Sequence, residues 1–154
     1  MKPAMMNFEL RVKDDRVEGY SLDSSKNIVV DIDGVICASN SGDYANAPPL
    51  PYGIKKINEL YDKGFYIILL TARYGDRELG NLARQYERGC IELVKWLYDN
   101  GVKYHEARLG KPPAMLYIDD KAARVEGDSV DGWSHVTESL EKASRKDKYG
   151  QDQK

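Results

Sequence analysis

NIVVDIDGV, residues 27–35, sets two carboxylates, Asp31 and Asp33, one residue apart at the end of an apolar run and directly before Gly34. Consecutive β-branched residues, Ile28, Val29 and Val30, read as a strand buried on both faces, the kind that fills parallel sheets. The acids then lie at its carboxyl end. Open α/β sheets form their ligand crevices outside the carboxyl ends of strands, which makes this pair a candidate for chemistry. Gly34 lets the backbone turn sharply and approach a ligand without a side chain in the way. Alone, the same string also reads as an ordinary strand-end turn.

Working outward, residues 39–51 are rich in Ser, Asn, Gly and Pro and read as a loop. Ile54, Ile57, Leu60 and Tyr61 recur at helical spacing, and Gly64 supplies the stop. FYIILL, residues 65–70, is a second apolar strand, ending at Thr71, Ala72 and Arg73. A longer helix follows, with Leu82, Ile91, Val94, Leu97 and Tyr98 on one side and Asn100 and Gly101 as its stop; Gly80 and Gly89 blur its start. A short strand near residues 102–105 leads to Lys111, Pro112 and Pro113. Residues 115–118, MLYI, form another apolar strand that ends at Asp119 and Asp120. Residues 134–142 are patterned as a helix, and 144–154 are charged and poor in apolar residues, the composition of a disordered tail. Upstream, residues 8–12 and 17–22 alternate apolar and polar around Asp14 and Asp15, which predicts a small hairpin within an N-terminal extension, residues 1–26. Strands alternating with helices over residues 27–143 give an α/β domain with a mostly parallel sheet.

The 154 residues suit one domain, and 23 basic against 25 acidic side chains leave a net charge of -2. That balance gives no bulk attraction to nucleic acid or to an anionic membrane. No stretch approaches the roughly 20 apolar residues of a bilayer span, and the opening MKPAMMNFEL lacks the apolar core of a secretory signal, so the expectation is a cytoplasmic protein. Cys37 and Cys90 belong to no CxxC pair and read as free thiols. Two histidines, His105 and His135, do not support a histidine-rich zinc site.

Three strand ends carry polar groups in order: Asp31 and Asp33, then Thr71, then Asp119 and Asp120, with Lys111 just before the last strand. In a parallel sheet these ends converge on one edge. Carboxylates gathered there repel one another unless a cation is bound, and an all-oxygen donor set suits magnesium rather than zinc. A hydroxyl and an ammonium beside such a metal are what a phosphoryl group needs, because they neutralise and orient its oxygens. Each residue alone has a structural reading as a cap, a turn or a solvated lysine. An acid pair at both ends of the set is not explained by caps.

With its four segments NIVVDIDGV, YIILLTAR, GKPP and MLYIDDKA, the chain resembles the haloacid dehalogenase-like (HAD) hydrolase superfamily over residues 27–123. The resemblance implies a Rossmann-like three-layer sandwich with no large cap domain, similar to the small phosphatase-type members. It implies Asp31 as the nucleophile that accepts the phosphoryl group, and Asp33 as the acid that protonates the leaving oxygen and then the base that activates water. Thr71 would hold phosphoryl oxygens and Lys111 would offset charge on Asp31 and the phosphate. Mg2+ would be held by Asp31, the main-chain carbonyl of Asp33 and Asp119, with Asp120 acting directly or through water. Gly34 and Arg73 would contact substrate, Arg73 by reaching an anionic group beside the transferred phosphate. Arg77, Arg84 and Arg88 read as a solvated helix face, whereas Tyr44 and Tyr52 flank a flap and could stack on a sugar or a base. The implied activity is hydrolysis of a phosphomonoester: a sugar phosphate, a nucleotide or, less favoured by the net charge, a polynucleotide end. A capless site also suits a lid lent by a second copy of the chain. The alternative is a phosphoryl-accepting, receiver-like or ligand-binding domain without efficient turnover; the order of the acids argues against it.

Overall fold

A computed structural model describes residues 12–13, 16–17 and 24–150, the last five by backbone alone. The expected N-terminal hairpin is present where it is described. β1 (Val12–Lys13) pairs antiparallel with β2 (Arg16–Val17). Residues 1–11 and 18–23 lie outside the described residues.

The sheet that positions the site has three parallel strands in the order β3, β4, β5. β3 (Asn27–Asp31) pairs with β4 (Tyr66–Thr71) in a register that sets Asp31 beside Leu70, and β4 pairs with β5 (Glu106–Leu109) with Thr71 beside Leu109. β4 is the central strand, and its Ile67, Ile68 and Leu69 are buried. β3 departs from the expectation of burial on both faces. It has a neighbour on one side only, and Val29 is 59% exposed. β5 begins at Glu106 rather than near Val102, because the amide of Val102 closes the end of the preceding helix on Leu97.

α1 (Pro51–Asp62) packs on β4, and α2 (Leu82–Asp99) packs on β5. Both helices end in the same way. Gly64 and Gly101 take left-handed backbone, and the residue after each bonds back to the carbonyl of Leu60 or Leu97, the Schellman closure that glycine permits. α2 starts as its sequence suggests, with the Asn81 side chain accepting from the Arg84 amide at 3.1 Å. Its buried face is not the expected one. Gln85, Gly89, Leu93, Trp96 and Leu97 point inward, whereas Leu82, Ile91 and Tyr98 are exposed. Gly89 is the reason: a Cβ there would sit 2.6 Å from the Tyr74 ring, so the small residue marks the closest approach of α2 to the core.

The 111–133 segment contains no strand, in contrast to the expected one at residues 115–118. A one-turn 3-10 helix, Asp131–Trp133, then buries Trp133 and leads into α3 (Ser134–Gly150). α3 runs past the expected end near Lys142, so residues 144–150 of the expected disordered tail are helical; 151–154 lie outside the described residues. The core joins Val30, Ile32, Ile36, Ile57, Leu69, Trp96 and Leu97 into one cluster. Among the described residues, no helix is long and apolar enough to cross a membrane.

Candidate active site

At the end of β3 the chain turns tightly around Gly34, whose φ is +85°, and the amides of Val35, Ile36 and Cys37 all bond to the Ile32 carbonyl. The turn folds Cys37 back under Asp33. The parallel register carries Thr71 alongside, one residue beyond the pairing of Asp31 with Leu70. Asp33 is therefore enclosed by donors. Its carboxylate accepts from the Thr71 hydroxyl at 3.1 Å, from Arg73 Nε at 3.1 Å and from the Cys37 thiol at 3.4 Å, with Arg73 Nη2 also 3.1 Å away. Thr71 Oγ1 accepts in turn from the Arg73 amide at 3.1 Å, which fixes its rotamer.

Arg73 is 2% exposed. Burial opposes its charge, but the hydrogen bond and the charge of Asp33 outweigh it and raise the guanidinium above its ordinary value. The same burial, followed by the Asp33 charge, pushes the Cys37 thiol up to about 12, so it is a hydrogen-bonding group and not a nucleophile at neutral pH. Arg73 lies over the Tyr44 ring at 4.8 Å and that of Trp96 at 5.8 Å, and its Nη1 is buried without a partner. Arg73 thus spends most of its donors on Asp33 and Cys37 rather than standing ready for a substrate anion.

Asp31 faces a different set. One oxygen accepts the Ile32 amide at 2.9 Å, and the other is 2.9 Å from Lys111 Nζ. Lys111 reaches it because its amide is bonded to the Thr71 carbonyl at 3.1 Å, which extends the sheet's carboxyl edge across β4. Its ammonium also lies 4.6 Å from the Tyr117 ring. Asp31, Asp33, Thr71, Arg73 and Lys111 therefore meet at one edge, and Gly34 leaves open space where a Cβ would stand.

Asp119 and Asp120 do not join them. Both are exposed, and Asp119 accepts the Lys121 amide at 2.7 Å. Among the described residues, no three His, Cys, Asp or Glu side chains are grouped to hold a metal ion. The acids as arranged do not fit magnesium. The physical reason lies in residues 115–118, whose Met115 and Ile118 are 101% and 92% exposed; without a neighbouring strand, nothing carries the two acids to the edge.

Beside Asp33 an open cleft of about 500 Å3 separates the loop after β3 from the turn after β4. Tyr74, buried in its wall, holds φ at +65°, and Ser41 on its rim at +47°, conformations costly for residues with a side chain and concentrated at functional sites. The Tyr74 hydroxyl donates to Glu92; burial, then Glu92, raises its pKa above the ordinary value. Another cleft, of about 580 Å3, runs along α1 past Ile54, Lys55 and Asp62 and touches none of the strand-end acids.

Sequence reading missed the role of Cys37 and left Tyr44 open between packing and ligand stacking, of which the structure shows packing against Arg73 and Tyr74. The signal for Cys37 was its position four residues after Asp33 across a glycine turn; for Tyr44 no local signal separates ring packing from ligand stacking.

No family model matches the chain, and no curated protein matches it. The crystal structure of an MCSG target protein from Vibrio cholerae is similar, with 29% identity and a TM-score of 0.65 over 79% of this chain and 98% of that one. That likeness supports a small α/β fold built around an open, parallel sheet.

Proposed function

We propose that the chain is a phosphomonoesterase of the HAD-like superfamily with Asp31 as nucleophile, and that magnesium would be held only with Asp119 brought to the edge where Asp31 stands. The observation that carries this reading is the approach of Lys111 Nζ to Asp31 at 2.9 Å, while Asp33 is held separately by Thr71 and Arg73. Two acids one residue apart thus have different partners, as two different roles require.

In the proposed reaction an Asp31 carboxylate oxygen attacks phosphorus and the ester P–O bond breaks. On this reading the departing oxygen takes its proton from Asp33, which has to give up its ion pair with Arg73 to carry one. Water then attacks the phosphorus of the aspartyl phosphate, Asp33 receives a proton from it, and the bond to Asp31 breaks to release inorganic phosphate. Lys111 offsets the negative charge that gathers on Asp31 and the phosphoryl oxygens, and the Thr71 hydroxyl, whose one hydrogen goes to Asp33, orients that acid rather than the phosphoryl group. No step is routed through magnesium, because its proposed ligands Asp31, Asp33, Asp119 and Asp120 are not assembled.

The superfamily reading requires residues 115–118 to add as a strand to the free edge of β3. Among the described residues that edge has no neighbour, Val29 on it is 59% exposed, and the segment is tied at both ends. Lys111 holds one end, while at the other the Glu126 amide bonds to the Gly132 carbonyl and Asp128 accepts the Tyr52 and Gly53 amides at 3.1 and 2.6 Å.

Replacing Asp31 by Asn is expected to abolish phosphate release from p-nitrophenyl phosphate in the presence of magnesium, with the circular dichroism spectrum retained. Substantial release by a folded Asp31→Asn protein overturns the mechanism. A stable aspartyl phosphate on the unaltered protein favours the receiver-like alternative.

A further inference from the structure

The cleft beside Asp33 shares that carboxylate with the reacting groups, so on the phosphomonoesterase reading it is the space into which the leaving group extends. Its walls limit what can bind. The lining carries two carboxylates, Asp33 and Asp76, and two guanidinium groups, Arg73 and Arg77. Arg73 is committed to Asp33, and Arg77 donates to the Gly42 carbonyl at 2.7 Å. No excess positive charge remains for a second anionic group.

The aromatic surface is also in use. Tyr44 lies under the guanidinium groups of Arg73 and Arg77, at 4.8 and 5.3 Å, and meets the Tyr74 ring edge-on at 5.0 Å. Tyr74 is only 8% exposed and packs closely against Gly89. These contacts stabilise the rings where they stand, and a nucleobase would have to displace a guanidinium to stack on Tyr44.

Hydroxyl and carboxylate groups remain. Ser39, Ser41 and Asp76 line the cleft and are exposed. On the rim that presents the serines Ser41 and Gly42 are both left-handed, and a Cβ at Gly42 would stand 2.4 Å from Arg77 Nη2. A carboxylate can accept from two neighbouring hydroxyls at once, and a serine hydroxyl can both donate and accept. Neighbouring hydroxyls on a ring match that set.

We propose that this cleft seats the leaving group as a neutral, polyhydroxylated ring, which makes a sugar phosphate the substrate class, with Asp76 accepting from adjacent ring hydroxyls. The inference rests on the phosphomonoesterase reading and assigns Ser39, Ser41 and Asp76 to specificity, leaving the transfer itself to the strand-end groups.

Phosphate release from a panel of hexose phosphates, AMP and p-nitrophenyl phosphate, with magnesium present, tests it. The best hexose phosphate is expected to exceed AMP in kcat/KM by about tenfold or more, and Asp76→Asn to lower the ratio of hexose phosphate to p-nitrophenyl phosphate by about tenfold. AMP turned over as well as every hexose phosphate, or a ratio unmoved by Asp76→Asn, overturns the inference and leaves the phosphatase reading intact. Binding is read separately by saturation-transfer NMR with the same hexose phosphates. Saturation of sugar-ring protons that is lost in Asp76→Asn supports the seating of the ring in this cleft, and ring protons that receive no saturation overturn the inference; sugar binding with no ester hydrolysed overturns the phosphatase reading and, with it, the assignment of a sugar phosphate as substrate.

Discussion

β4 and the 115–118 stretch carry similar apolar runs, YIILL and MLYI, and each leads into residues suited to a phosphate site, yet they end in opposite environments. Ile67 and Leu69 are fully buried; Met115 and Ile118 are almost wholly exposed. β4 lies between two strands and packs on α1, so most of its side chains are buried. Residues 115–118 have the composition of a strand without the neighbour. An apolar run states what could be buried, and the partner decides whether it is. The consequence for function is direct: Thr71 is carried to the carboxyl edge, and Asp119 and Asp120 are left outside it.

The same truncation made in both regions should separate them. Leu69→Ala is expected to cost about 3 kcal/mol of unfolding free energy through lost burial and the cavity left behind. Ile118→Ala should cost less than about 0.5 kcal/mol, as exposed changes do. Urea titrations measure both, and repeating them with magnesium chloride sharpens the contrast. If residues 115–118 dock on β3 when the ion binds, the cost of Ile118→Ala rises and the gap narrows. An equally large cost for both variants without magnesium would mean that the stretch is already buried.

Arg73→Met should rank next, at about 2 kcal/mol, because it leaves Asp33 and Cys37 without their shared donor in a partly buried setting. A loss near zero in urea titration would show that the carboxylate is solvated without Arg73, and that the edge is less enclosed than its contacts imply.

The smallest effect concerns His105, stacked between Tyr61 at 4.5 Å and Tyr66 at 4.4 Å, its Nδ1 accepting the Ile67 amide at 3.1 Å. Burial lowers its pKa from the ordinary 6.5, opposed in part by Glu106. The unfolded chain then binds a proton more readily than the folded one, so this contribution to stability is present above pH 6.5 and declines as pH falls toward the folded value. The urea midpoint of His105→Gln should show a shallower fall over that window than the unaltered protein; identical slopes would remove His105 as the cause.

How much was legible in the sequence differs by element. The helix stops at Gly64 and Gly101 were readable because left-handed closure is a local demand that glycine meets. β3 and β4 were readable as strands, but the exposure of Val29 was not, since edge or centre depends on which strands pair. The face of α2 was misread because Gly89 counted only as blurring the helix start, whereas its missing Cβ admits the Tyr74 ring and sets the buried side. At the candidate site, Asp31, Asp33 and Thr71 were named by their positions at the ends of apolar runs, and Lys111 by its place just before one. Arg73 was named too, with a substrate as its expected partner, and the structure pairs it with Asp33 instead.

Strands β3 and β4, the glycine stops of α1 and α2 and the candidate acids follow from the sequence by itself, because each depends on backbone preferences and patterns within a few residues. Only the tertiary structure decided that Asp33 is enclosed by Thr71 and Arg73 while Asp31 faces Lys111, and that Asp119 and Asp120 stand apart. Those outcomes depend on which edges meet, and contacts between residues 38 to 80 positions apart are set by burial of the whole core rather than by any local run.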